Sequence, residues 1–368
     1  MRVLVVNAGS SSLKLSVLDG EDRVAATTVE RWEGEGHLEP LQEFVDTVPD
    51  VDAVGHRVVH GGPRYARPVL VDDDVLAYLG SIDDLAPLHN LRSVAGIREV
   101  GRVLGDVPEV ACFDTSFHAG LPPAARTYAL PKEWNERWSL RRYGFHGLSH
   151  AYAVRRAAAV LGRPLEDLRI VSCHLGAGAS LAAVREGRSV DTTMGFTPLA
   201  GLVMATRSGS VDPGLVLWLL QHAGLSAGEL GDVLEHGSGM KGLSGTSGDL
   251  RDVLAARARG DEDAALAYDV FVHRLRREVG AMAAGAGGLD VLVMTGGIGE
   301  HSPEVRADVA EGLTHLGLAV DAAANADPAG DIDVSAPGAR ARTVVVTAQE
   351  DREVARATAR LLAAPPPG

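Results

Sequence analysis

At 368 residues, with 46% apolar side chains, the chain is long enough for about two domains with their own cores. Its formal net charge of −14 leaves no basic footprint for nucleic acid, and no run approaches the roughly 18 apolar residues of a membrane span. The two cysteines, Cys112 and Cys173, lie in the strand-like stretches VACFD and IVSCH, which points to buried, reduced thiols in a cytoplasmic protein rather than to a disulfide or metal site.

Residues 1–6 read as a buried strand, 7–12 as a small polar loop and 13–18 as a second strand. Asp19-Gly20 then forms a hairpin turn into a third strand, RVAATTVE. The opening apolar run is short and leads into a loop, unlike a secretory leader. A strand rather than a helix follows the glycine-containing loop, and GxxxxGK[ST] occurs nowhere, so this is no P-loop. VDAVGHRVVHGG gives a further strand and loop, a helix is predicted over 91–104, and VPEVACFD is a strand ending on Asp114. RRYGFHGLSH leads into an amphipathic helix, with Ser149 as its N-cap.

The second half starts over. LRIVSCHLGAGAS is strand, glycine loop and strand, an arrangement that reads as an internal duplication. Asp212-Pro213 supplies an N-cap and an N1 proline. A helix over 264–283 presents Leu266, Val270, Phe271, Leu275, Val279 and Met282 on one face. DVLVMTGGIGEHSPEV is a strand, a glycine loop and a helix start, and ARTVVV begins a last strand and helix. The resulting division is 1–118 and 119–350, with the helix of 351–368 packing back on the first part.

Three loops rich in glycine or serine follow apolar strands: NAGSSSLK at 7–14, HLGAGAS at 174–180 and TGGIGE at 295–300. Backbone N–H groups in such loops can approach phosphate oxygens closely. Ser10, Ser12 and Lys14 add hydroxyl donors and a point charge. Arg57, between valines, and Arg207, in VMATRSGSVDP, place guanidinium groups in apolar surroundings. Each alone equally fits a structural ion pair; together they fit a site that stabilises a transferring phosphoryl group. Asp114 and Glu350, both linked to strand ends, are candidate Mg²⁺ carboxylates. The histidines lack the spacing of a zinc site. If the acceptor is a carboxylate, ionised at neutral pH and in need of no base, His146 would donate a hydrogen bond to the phosphoryl group rather than accept a proton.

These stretches, together with GHRVVHGG, APLHN, FDTSFH, RRYGFHGLSH, DTTMGFTPLAGLVMATRSGSVDP and GTSGDLRD, resemble the acetate and propionate kinase family of the actin, Hsp70 and sugar kinase superfamily. The resemblance implies an α/β fold of two duplicated ribonuclease-H-like, actin-like ATPase domains with an interdomain active-site cleft. It implies that the second domain carries nucleotide binding and dimerisation in a homodimer. The implied reaction is reversible, direct in-line transfer from ATP to acetate with Mg²⁺ or Mn²⁺; propionate or another short-chain acid as acceptor and a non-catalytic actin-like nucleotide switch are the alternatives.

Residue by residue, the resemblance makes Arg57, Asp114, His146 and Arg207 catalytic. Ser10, Ser12, Lys14, His174 and Gly178 would contact phosphate, with His89 a further active-site histidine. Val59, Leu88, Phe145 and Pro198 would form the acyl pocket. Asp249, Arg251, Gly297, Ile298 and Gly299 would bind the nucleoside, and Asn7 and Glu350 would serve the metal. Four positions depart from the family pattern: Ala177 replaces an asparagine, Leu148 a threonine, Ala200 a glutamate and His301 an asparagine.

Overall fold

In the computed structural model, residues 1–9, 12–30, 32, 39–82, 85 and 90–364 are described; Ser10, Leu88 and His89 lie outside them. The chain divides into two compact units. The first comprises Met1–Ala119, Phe145–Tyr152 and Gln349–Gly368; the second comprises Gly120–Gly144 and Ala153–Ala348. The short stretch 145–152 thus belongs with the first unit, whereas the sequence division puts it with the second.

The first unit contains β1 (Arg2–Ala8), β2 (Ser12–Asp19), β3 (Asp22–Glu30), β4 (Ala53–Val58), β5 (Val69–Leu70) and β6 (Glu109–Phe113), in sheet order β3-β2-β1-β4-β6-β5. The second contains β7 (Arg169–Leu175), β8 (Ala179–Arg185), β9 (Arg188–Thr192), β10 (Val291–Thr295), β11 (Ile332–Asp333) and β12 (Arg342–Val345), in the order β9-β8-β7-β10-β12-β11. The two orders are the same pattern. Each begins with an antiparallel three-strand meander, continues with two parallel strands and ends with a short antiparallel edge strand. Each meander also carries a register shift between its second and third strands. The duplication that sequence identity leaves weak is therefore plain in the topology.

β1 is apolar on both faces because both are covered. Leu4 and Val6 pack toward the cluster that includes Val100 of helix Asn90–Leu104. Val3 and Val5 face the opposite side, against Val354 and Ala355 of the last helix, Glu350–Ala363. Asp351 fixes that helix further by accepting hydrogen bonds from Ser16 (3.1 Å) and Arg23 (2.8 Å). Asp212 caps its helix as expected, accepting from the Gly214 N–H at 2.8 Å.

Three sequence expectations need correction. The helix at 147 starts two residues before Ser149, which is buried inside its first turn instead of capping it. In helix Glu262–Ala286 the buried stripe runs through Ala264, Ala267, Phe271, Leu275, Val279 and Met282. Leu266 lies about 140° around the helix from Phe271 and is 54% exposed. The stretch Gly296–His301 is a helix that starts directly at the end of β10, not a loop. Among the described residues no helix is long and apolar enough to cross a membrane.

Candidate active site

In the first unit the parallel strands deliver their polar residues to one edge of the sheet. Asn7 is in register with Lys14 across the hairpin and with Arg57 on β4, and Arg57 is in register with Cys112, two residues before Asp114. The Arg57 guanidinium grips the Asp114 carboxylate with two bonds, Nη2–Oδ2 at 2.7 Å and Nε–Oδ1 at 3.1 Å. The Asp114 side chain is 2% exposed and that of Arg57 20%. Burial opposes the charge on Arg57, but Asp114, and beyond it Glu350, outweigh that penalty and raise its pKa. Glu350 is the first residue of the last helix. Lys14 is exposed, and Ser12 and Asn7 are half-buried.

His146 is held by backbone strain. Its φ of 56° lies in the left-handed region, which few residues other than glycine adopt. The next residue explains how the strain is sustained. The Gly147 N–H donates to the Asp114 carbonyl at 2.9 Å, and a Cβ on Gly147 would overlap that same oxygen. Asp114 and His146 are therefore joined through backbone, a link that no sequence spacing reveals. The His146 carbonyl in turn accepts from the His150 N–H at 2.9 Å.

Phe145 is buried at 1% exposure. It lies edge-on to His60, with ring centroids 5.4 Å apart, and its carbonyl accepts from His118 Nε2 at 3.1 Å. His60 Nδ1 accepts from the Gly62 N–H at 2.8 Å. Burial pushes the His60 imidazole down to about 4, so it is neutral at pH 7. Val59, next to it, is half-buried.

In the second unit His174, the next-to-last residue of β7, is in register with Ser180 and with Thr295 of β10. The turn closes with Gly176 N–H donating to the Gly178 carbonyl at 3.0 Å. A cavity of about 700 Å³ opens there, walled by Gly176, Ala177, Asp249, Arg251, Gly297 and Ile298, with His301 also on its lining. Its size suits a nucleoside. Gly297 has open space where a Cβ would stand, while Gly296, at φ +77°, is pressed against the Leu175 backbone. Gly178 and Gly299 are not among the walls. Gly299 is buried, and its carbonyl accepts from Arg306 Nη1 at 2.9 Å.

Asp249 caps helix Leu250–Ala258, accepting from the Arg251 N–H (2.9 Å) and forking with its guanidinium (3.0 and 2.6 Å). These bonds, those from the Arg251 side chain above all, draw its carboxyl down to about 2. Arg207 Nε meets Glu235 Oε2 at 3.0 Å. The Arg207 loop is tied to the same helix, Ala227–His236, where the Glu235 carbonyl accepts from Thr206 Oγ1 at 2.8 Å. Pro198 is half-buried in the segment after β9.

Sequence reading misses three residues that shape this half: Glu235, Arg306 and Asn325. Arg306 is fully buried. It donates to the carbonyls of Gly299 and Glu300 (2.9 and 2.8 Å) and to Asn325 Oδ1 and O (2.7 and 2.6 Å). It thereby satisfies carbonyls at the end of helix Gly296–His301, which no intrahelical donor reaches. The available signal was an arginine on an otherwise apolar helix face.

A profile of the acetokinase family matches residues 35–356. The acetate kinase of a Synechococcus species is 45% identical over 402 aligned residues, covering 98% of this chain and 99% of that protein. Among solved structures, Porphyromonas gingivalis acetate kinase superposes with a TM-score of 0.91 at 34% identity, covering 98% of this chain and 99% of its own. A Francisella tularensis propionate kinase superposes with a TM-score of 0.89 at 33% identity, with the same coverage. The doubled sheet is thus the actin-like ATPase fold, in an α/β protein of the kinase class. Within that class the chain belongs to the acetokinase family.

Proposed function

We propose that this protein transfers the γ-phosphoryl group of ATP directly to acetate, reversibly and with Mg²⁺. An acetate carboxylate oxygen forms the new O–P bond as the bond from the γ-phosphorus to the bridging oxygen breaks, and ADP leaves with that electron pair. No proton moves, because the acceptor is already ionised. The observation that carries this reading is Arg57, charged and clamped by Asp114 at the sheet edge.

Arg57 and Arg207 stabilise charge on the phosphoryl oxygens, and His146 donates a hydrogen bond to them. Ser10, Ser12, Lys14, His174 and Gly178 bind phosphate. Asp249, Arg251, Gly297 and Ile298 receive the nucleoside, with Gly299 supporting them. Val59, Leu88, Phe145 and Pro198 receive the acyl methyl group. Asn7 and Glu350 would hold the metal; both offer oxygen donors, the chemistry Mg²⁺ or Mn²⁺ requires, and both lie toward Arg57. When bound, the ion would neutralise phosphate charge.

The direct test traps acetyl phosphate as its hydroxamate in a mixture of enzyme, ATP, Mg²⁺ and acetate. Absence of product with every C2 to C4 acid sinks the kinase reading. Similarity to a propionate kinase supports propionate as a second acceptor, since one methylene in an apolar pocket is worth only ~1–3 kcal/mol. Relative kcat/KM for the two acids decides between them.

Ala177 is exposed on the wall of the nucleoside cavity. Ala177→Asn is expected to lower KM for ATP by about threefold to tenfold, the worth of one added hydrogen bond. An unchanged KM and kcat would mean that no donor is missing there.

Helix Pro213–His222 is almost wholly apolar yet buries none of its residues, and Leu215, Leu217 and Trp218 are 46%, 57% and 54% exposed. Such a face supports a homodimer. Light scattering is expected to give a dimer for the parent and a monomer for Trp218→Glu combined with Leu217→Glu; a monomeric parent contradicts it. Cys112 and Cys173, unpaired and buried, support a reducing, cytoplasmic setting.

A further inference from the structure

The first unit holds a cavity that none of these roles uses. It measures about 580 Å³, within the range of small-molecule sites. Phe113, Phe117, Leu148, Ala151 and Leu361 make its walls apolar, while Arg67, Arg356 and Arg360 line it against one carboxylate among the described residues, Glu353. Glu353 is buried and already engaged with Arg356, at 3.2 Å. Arg67 and Arg360 have no ion-pair partner among the described residues. The Ser116 Oγ, also on the lining, is buried without a hydrogen-bond partner among the described residues. Leu148, where the family pattern has threonine, replaces a hydroxyl with an apolar wall.

Surplus guanidinium charge beside an apolar surface selects a ligand with both characters. The forks of Arg67 and Arg360 match a carboxylate or phosphate, and the aromatic and leucine side chains match a hydrocarbon body. We propose that this cavity binds a small amphipathic anion, its head at Arg67 and Arg360 and its chain against Phe117 and Leu148. The site is not remote from the chemistry. Phe113 precedes Asp114, and Leu148 follows Gly147, whose N–H is bonded to the Asp114 carbonyl. An occupant therefore touches the segments that hold Asp114 and His146 and should alter turnover; this coupling rests on the proposed function, whereas the binding does not.

The test is calorimetric titration of the full chain with decanoate, decyl phosphate and decanol below their aggregation thresholds, with and without saturating acetate and ADP. At least one anion should bind with a submillimolar Kd, and decanol at least tenfold more weakly. Whichever of the two anions binds more tightly identifies the head group. Acetate and ADP should not displace it. Arg67→Glu combined with Arg360→Glu should weaken binding at least tenfold with the parental kcat retained, and Leu148→Arg should abolish it. The site is overturned if neither anion binds, if decanol binds equally, if acetate displaces the anion, or if charge reversal leaves the affinity unchanged. An anion that binds without changing acetate turnover overturns the coupling alone.

Discussion

Arg207→Ala is expected to lower kcat by about 10³-fold or more, the scale on which arginines act in phosphoryl transfer, while costing the fold only about 1 kcal/mol. Arg57→Ala is expected to match the kinetic loss but also to destabilise the protein by about 3–5 kcal/mol. The difference comes from their partners. Glu235, opposite Arg207, is 31% exposed and can be solvated once the guanidinium is gone. Asp114, opposite Arg57, is 2% exposed and would be left as an uncompensated buried charge. Sequence alone treats the two arginines as equivalent; burial of their partners separates them. Steady-state kinetics and urea unfolding of both variants check the claim. A near-parental kcat in Arg207→Ala would remove the electrostatic role. An unchanged unfolding midpoint in Arg57→Ala would show that Asp114 does not depend on it. Adding Asp114→Asn to Arg57→Ala should recover part of the lost stability, because the orphaned charge is then gone.

Arg306→Met should unfold at markedly lower urea, with a loss of about 3–5 kcal/mol, although methionine nearly fills the space. Among the described residues the guanidinium serves only neutral acceptors, two at the end of helix Gly296–His301 and two on Asn325. Removing it strands several buried acceptors at once, each costing about 1–3 kcal/mol before relaxation. Since Gly297 and Ile298 of that helix line the cavity proposed for the nucleoside, KM for ATP should rise several-fold even where the protein remains folded. Arg306→Lys, with a single charged donor group, should fall between parent and methionine. A methionine variant with parental midpoint and KM would show that the helix is positioned by its β10 junction alone.

Much of the candidate site was legible because it breaks local rules. A guanidinium between valines at Arg57, a carboxylate ending the strand VACFD, and glycine loops directly after apolar strands are conspicuous within a few residues. The hairpins were legible from alternation and from the Asp19-Gly20 turn, where Gly20 has a φ of +65°. Other features were invisible because their causes are distant in the chain. The three glycines of TGGIGE mimic a loop, but Gly296 only adapts to the Leu175 backbone and Arg306 holds the helix that follows. The stripe of helix Glu262–Ala286 is carried partly by Ala264 and Ala267, too small to stand out beside Leu266.

By itself, then, the sequence determined the strand–loop–strand units, the family and which charged residues are candidates for phosphate, because each is written in contiguous residues. Only the tertiary structure decided which charges are clamped and which are solvated. It alone joined His146 to Asp114 through Gly147, and it alone placed Leu148 in a second, arginine-rimmed cavity. Burial, backbone strain and pairing arise between segments that meet only after folding, so local pattern cannot encode them.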